Sequence, residues 1–336
     1  MAAGNGGFPL IYETGVHVMD DQTYHSDPAP KPSLSATLAK EMLARSPRHA
    51  WVKSPRLNPK WEPTNSDVFD VGRAAHRAVL GKGGDYVAYP EAILAKNGAA
   101  STTSAKEWAE YQRSFGRTPL KQEQVDAVEA MAAATNAHLA ACGIVLDPAR
   151  SELTAIAKVE DVWCRARVDN APDRPVMLPG VGPRKVLIDF KSCENATPEK
   201  CQKAVQEYGY DVQKQHYTET WKAATDEDRA FLFVFTEKEP PHGTCIVMLL
   251  DEPGHSADWL QDAQEKVRTA RMTWGQCLFT KEWPCYPHLI VQVGATPWHR
   301  QRWQDTQARA SIARERINPA TLANAMAWQS PQGDAE

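Results

Sequence analysis

Long apolar runs are missing from this sequence. The longest, such as Phe231-Leu232-Phe233-Val234-Phe235, fall far short of the roughly 20 residues a membrane-spanning helix requires. No membrane partner is therefore expected. No Cys-x-x-Cys pair is present; the seven cysteines, an odd number, are scattered at 142, 164, 193, 201, 245, 277 and 285. That argues against zinc ribbons and iron–sulfur clusters and for reduced, buried thiols, with Cys164 on a core face of its strand. A basic excess is also lacking: 38 Lys and Arg stand against 42 Asp and Glu, a net charge of -4. Any nucleic-acid partner must then meet a local basic surface. The opening Met-Ala-Ala-Gly-Asn-Gly-Gly has neither the basic residues nor the apolar stretch of a secretory leader, so a cytoplasmic protein is expected. Internal repeats and low-complexity tracts are absent.

What remains is an ordinary globular composition, 42% apolar and 24% charged over 336 residues, enough for one large domain or two small ones. Residues 1–32, rich in Gly, Pro, Asp and His, read as an irregular arm. Ser35 opens a helix over 36–44 that stops near Ser46-Pro47, and residues 53–66 read as a connector. Phe69, Gly72, His76 and Val79 recur at helical spacing over 67–81, with Ser66 or Asp67 as the cap and His76 on the apolar face. A Gly/Ala/Ser/Thr-rich stretch at 97–105 precedes a helix from about Leu120 to Ala141. The period then changes to strands at 152–157, 162–169 and 185–192. Thr197-Pro198 opens one long helix to about Ala224, strands follow at 231–237 and 244–251, and Ser256 caps a helix to about Thr273. The fold expected is an α/β core, a mixed central sheet flanked by helices, with a helical N-terminal extension. The expected organisation is an arm (1–32), a single domain (33–298) and a helical or disordered tail (299–336). Within the domain, 33–150 is helical, 151–252 is the catalytic core and 253–298 is a C-terminal helical part.

The chemistry concentrates in the strands. Side chains alternate across a strand, so Asp189 and Lys191 share one face while Val186, Ile188 and Phe190 line the other. Asp169 ends the preceding strand and His76 precedes the sheet. Two carboxylates and an imidazole suit Mg²⁺ or Mn²⁺, which polarise a scissile phosphate and lower the pKa of bound water. Lys191 would orient that water or neutralise charge developing on the phosphate. Each residue also has a plain reading: a core histidine, a strand-end turn cap, and an Asp-x-Lys that chance supplies in most chains of this length. Their order and context favour a metal site.

Four pieces together resemble the PD-(D/E)XK nuclease superfamily, in its exonuclease VIII (RecE-type) branch, related to the RecB nuclease domain and phage lambda exonuclease. They are Gly72-Arg73-Ala74-Ala75-His76, Trp163-Cys164-Arg165-Ala166-Arg167-Val168-Asp169, Ile188-Asp189-Phe190-Lys191-Ser192, and Tyr208 to Tyr217, which looks like a Q-x-x-x-Y helix. Tyr24-His25-Ser26-Asp27, Ser33-Leu34-Ser35 and Glu237-Lys238-Glu239-Pro240-Pro241 are also similar, and the likeness spans roughly 22–295. It implies a restriction-endonuclease-like core. His76, Asp169, Asp189 and the Phe190 carbonyl would be metal ligands, Lys191 the catalytic lysine, and Gln213 and Tyr217 supports one helical turn apart. Glu152 stands where the branch often has a glutamate; pairing with a nearby arginine is its plain account. The long Pro/Gly-rich gap between Asp169 and Asp189 departs from a tight hairpin and reads as an inserted loop.

For DNA, the basic candidates are Arg73 and Arg77 beside His76, and Arg165 and Arg167 on the strand face of Asp169. Lys200, Lys203 and Lys214 on the long helix read more simply as a solvated face. Ser33 and Ser35 could hold a terminal phosphate at a helix start, or Ser35 could simply cap it. The resemblance implies a Mg²⁺-dependent 5′→3′ exonuclease (Mn²⁺ substituting) acting on double-stranded DNA ends in phage-type recombination. It further implies a homo-oligomeric ring and a single-strand annealing protein as partner. An endonuclease or structure-specific nuclease of the same fold, and a DNA-binding protein that does not cut, are the alternatives.

Overall fold

The computed structural model describes residues 10–62, 70–82, 85–249 and 259–316. Among the described residues lie ten strands: β1 (Gly15–Val18), β2 (Tyr86–Ala88), β3 (Thr118–Leu120), β4 (Ser151–Val159), β5 (Val162–Asn170), β6 (Val176–Leu178), β7 (Gly182–Arg184), β8 (Val186–Cys193), β9 (Ala230–Glu237) and β10 (Thr244–Val247). Six of them form one mixed sheet in the order β1-β4-β5-β8-β9-β10. β4 and β5 are an antiparallel hairpin, and β8 and β9 are parallel in continuous register from Val186↔Ala230 to Cys193↔Glu237. Parallel neighbours need a crossover, supplied here by two helices, α7 (Pro198–Glu207) and α8 (Tyr210–Thr225). Between β5 and β8 the register holds one pair, Asn170↔Ile188. The two strands that carry the acidic residues are therefore joined at one point and part beyond it.

β8 and β9 are buried on both faces, as the apolar run of β9 and the apolar residues of β8 around Asp189 require. On one face Val186, Ile188 and Phe190 pack with Leu232 and Val234 against α4 (Asp70–Leu80) and α6 (Gln122–Ala141). On the other, Leu187, Phe231, Phe233 and Phe235 meet Cys201, Val205 and Trp221 of α7 and α8. A third cluster joins Val162 and Cys164 of β5 to Leu38 and Met42 of α2 (Ala36–Ala44) and Val267 and Trp274 of α9 (Trp259–Thr280). Asp189 thus points with Leu187 toward α8, while Phe190 points toward α4. The alternation read from the sequence holds.

Several boundaries differ from expectation. The arm is not irregular where it is described: β1 pairs with β4, Gly15 opposite Ile156, and α1 (Asp21–His25) is capped by Asp20. Pro47 does not simply stop a helix; it sits in the first turn of α3 (Pro47–Lys53), where its missing N–H costs nothing. The Ser/Thr cluster read as a separator supplies Thr102, the N-cap of α5 (Thr103–Ser114). The long helix expected after Thr197 is two helices, broken at Tyr208-Gly209, where Gly209 takes φ +61°. The gap between Asp169 and Asp189 is an ordered hairpin of β6 and β7 that buries Val176 and Leu178. The helix expected to end at Thr273 continues to Thr280. Ser66, Asp67, Phe69 and Ser256, expected near helix starts, lie outside the described residues.

The chain divides into two compact units, Met1–Tyr286 and Pro287–Glu336. The second unit contains α10 (Pro297–Arg316). No helix among the described residues is long and apolar enough to cross a membrane.

Candidate active site

Where β5 and β8 part, side chains take over from the missing ladder. The Phe190 N–H donates to Asp169 Oδ2 at 2.6 Å, a charge-assisted bond in the place of a strand-to-strand one. His76, in the middle of α4, brings Nδ1 to 3.9 Å from the same oxygen, with its ring edge-on to Phe190 at 5.3 Å between centroids. One residue away along β8, Asp189 is 2% exposed. Its Oδ1 accepts from Gln213 Nε2 at 2.6 Å, and its Oδ2 faces Lys191 Nζ at 2.5 Å. Asp189 Oδ2 is thus a buried oxygen whose partner is the Lys191 ammonium.

The electrostatics follow from burial. Desolvation holds the Asp169 carboxyl up to about 6; the Asp189 charge adds to the effect, and His76 and Lys191 oppose it. Burial works against the Lys191 ammonium, but the Asp189 and Asp169 carboxylates outweigh it and raise the pKa, so Lys191 stays charged. Tyr217, one turn past Gln213 on α8, is pushed well above its ordinary value by burial. It packs edge-on against Phe231, and no hydrogen bond joins it to Asp189. Its neighbour His216 is buried and neutral: Nε2 donates to the Arg165 carbonyl at 3.1 Å, and burial lowers the pKa to about 4.

The expected metal ligands are thus brought together in part. His76 meets Asp169, Asp169 meets the Phe190 backbone, and Asp189 lies beside them held by Gln213 and Lys191. Among the described residues, however, no three His, Cys, Asp or Glu side chains converge closely enough to hold a metal ion. The donor set still fits a hard divalent cation in kind: two carboxylates, Asp189 buried against a lysine ammonium and Asp169 with its charge disfavoured by burial, beside an imidazole.

The DNA candidates fare differently. Arg165 and Ser33 are 4% and 0% exposed and form a buried cluster with Asp27. Arg165 Nη1 lies 3.1 Å from Asp27 Oδ1 and donates to Ser33 Oγ at 2.7 Å, while Ser33 Oγ and N–H both donate to Asp27. Neither can meet a phosphate; they lock the arm to β5. Ser35 is the N-cap of α2, its hydroxyl accepting from the Leu38 N–H. Arg167 pairs with Asp21 of the arm and lies 3.8 Å from Glu152, so the pairing expected of Glu152 is the one formed. Arg73 is held by Asp70, which also takes Arg113, and Arg77 by Asp85 and the Gly81 carbonyl.

One group at the site was not singled out from the sequence. Lys40, on α2, places Nζ 5.3 Å from the centre of the Tyr210 ring, and Lys191 Nζ stands 4.9 Å from the same ring. A lone lysine on an amphipathic helix carries no signal of this kind; only the packing of α2 on α8 reveals it.

The structure of a protein from Eubacterium rectale described as a candidate exonuclease superposes with a TM-score of 0.50 at 15% identity, over 83% of this chain and 97% of that one. At that identity the likeness concerns the fold alone. A phage-related exonuclease from Haemophilus somnus gives a TM-score of 0.27 at 14% identity over 62% of this chain and 95% of that one, too low to carry an argument. No curated protein matches the chain in sequence. The sheet, its flanking helices and the Asp-x-Lys strand are those of a restriction-endonuclease-like fold, and residues 35–290 match the PDDEXK-like domain of unknown function (DUF3799), the family to which this chain belongs.

Proposed function

We propose that the protein is a metal-dependent deoxyribonuclease that hydrolyses DNA phosphodiesters without sequence preference. The observation that carries this reading is the Asp169–Asp189–Lys191 group gathered where β5 and β8 part, with Gln213 holding Asp189. A divalent cation, Mg²⁺ with Mn²⁺ as substitute, would be held by Asp169 and Asp189 with the Phe190 carbonyl and His76 beside them, and when bound would supply Lewis acidity toward the phosphate. Gln213 keeps the Asp189 carboxylate oriented. The Lys191 ammonium, kept charged by its carboxylate neighbours, offsets negative charge on the phosphate oxygens. The finer reading rests on the RecE-type sequence motifs: a 5′→3′ exonuclease on duplex ends, acting in the cytoplasm in phage-type recombination. It includes a ring of copies of this chain and a single-strand annealing partner.

The test uses linear duplex labelled at the 5′ or 3′ end, and a covalently closed circle, with Mg²⁺. Release of the 5′ label with an intact circle is expected, and cutting of the circle would replace the exonuclease reading with an endonuclease one. Lys191→Ala should abolish degradation while linear duplex is still bound. Undiminished hydrolysis by that variant would overturn the assignment of the site.

A further inference from the structure

Lys40 has no carboxylate of its own. Asp189 is taken by Lys191 and Gln213, and Asp211, at the start of α8, by Lys266 at 2.7 Å. Lys40 forms neither a hydrogen bond nor an ion pair among the described residues, and its ammonium rests against the face of Tyr210. Of these three ammonium groups, Lys191 and Lys266 are each in an ion pair and Lys40 is in none among the described residues. On balance its environment opposes the charge: burial first, and then the nearby Lys191 charge, lower its pKa, and the Asp189 and Asp211 charges offset this only in part.

The backbone makes room for this arrangement. The break between α7 and α8 places Gly209 under the Lys40 stem, and a Cβ there would come within 3.2 Å of Lys40 Cδ and 3.5 Å of Cγ. The stem crosses the gap left by the glycine and brings the ammonium to the Tyr210 ring, which Lys191 also approaches. An unpaired cation held half-buried beside the Asp-x-Lys strand, at a cost in repulsion and desolvation, is complementary to an anion the folded chain does not itself provide.

We propose that Lys40 is a substrate-binding residue of this site, its ammonium taking a non-bridging phosphate oxygen of the DNA strand being cut, next to the phosphate that Lys191 serves. The inference rests on the nuclease reading above and adds a residue to it. A purely structural Lys40 would act through its stem, covering Gly209 and Tyr210. Methionine keeps an apolar stem of similar length and removes only the charge.

The experiment compares the full-length wild type, Lys40→Met and Lys40→Arg. Binding to a fluorescent linear duplex is measured in Ca²⁺ across a range of KCl, steady-state cleavage in Mg²⁺, and thermal melting without DNA. Lys40→Met should weaken binding and raise KM about tenfold, the effect of one charge-assisted hydrogen bond. It should also make the log–log salt dependence of binding shallower by about one phosphate contact. Melting should be unchanged or higher, and Lys40→Arg should bind nearly as the wild type does. An unchanged affinity and salt slope in Lys40→Met, with a wild type that binds and cuts, overturns this inference alone. So does an affinity that falls only in step with a lowered melting temperature while the slope stays the same. A wild type that neither binds nor cuts DNA overturns the nuclease reading and this inference with it.

Discussion

Replacing Asp27 with Asn tests whether Arg165 is a structural ion pair or a DNA contact. Asp27 and Arg165 are buried, 3.1 Å apart, and bridged by Ser33. At that separation their attraction is about 5 kcal/mol with an effective dielectric constant near 20. The Asn side chain can still accept from the Ser33 hydroxyl or N–H, so the loss is chiefly the charge, and Arg165 is left buried without a counter-ion. Breaking one half of such a pair costs about 3–5 kcal/mol. Arg165→Met should cost a similar amount by stranding the carboxylate, whereas the double variant should lose clearly less than the two singles combined. Urea unfolding followed by tryptophan fluorescence at pH 8 gives these values, and duplex binding by all variants well below their melting points gives the other half. Strict additivity of the two losses would refute the ion-pair account. So would Arg165→Met weakening DNA binding with no loss of stability, because it would return Arg165 to the DNA surface.

Burial raises the Asp169 pKa from 3.8 to about 6, so the ionised carboxylate costs native stability above that pH and costs nothing below about 4. A displacement of that size is worth about 3 kcal/mol. Asp169→Asn, unfolded in EDTA, should therefore gain up to about that much at pH 8 and nothing at pH 4; a gain independent of pH contradicts the burial argument. His216 has the opposite sign: its pKa is lowered to about 4, so its contribution is full above about pH 6.5 and is lost as the pH falls toward 4. The two effects oppose each other over one window in the wild type, and Asp169→Asn should expose the His216 decline as a steeper loss between pH 6.5 and 4. Gly209→Ala should cost about 1 kcal/mol or more from the φ of +61°. By crowding the Lys40 stem it should also weaken duplex binding in the same direction as Lys40→Met, and an effect on stability without one on binding would separate the two residues.

Much of the core was legible because it rests on period alone. Val186, Ile188 and Phe190 alternate with Asp189 and Lys191, and the structure buries them as that alternation demands. The spacing of Gln213 and Tyr217 put both on one side of α8, yet only Gln213 hydrogen-bonds Asp189, while the Tyr217 ring is packed into the apolar cluster against Phe231. Misreadings arose where one residue type serves two purposes. Pro47 and the Thr102 region are read equally well as breaks and as helix starts, and only the chain beyond decides. Arg165 and Arg167 share a strand face with Asp169, which suggested phosphate contacts. What the sequence could not reveal was that the arm, remote in the chain, returns with Asp27 and Asp21 to cover them. Lys40 was hidden for the same reason: its meaning lies in its neighbour across a helix interface.

The single pairing between β5 and β8 gives the site a built-in reporter. The Phe190 amide hydrogen is held by a carboxylate oxygen of Asp169 and not by a strand carbonyl. Whatever draws that oxygen elsewhere must release this one proton, while the amides that tie β8 to β9 keep their backbone acceptors. Its chemical shift and exchange rate therefore read out the engagement of Asp169 directly, residue by residue, in the resting protein and before any bond is cut.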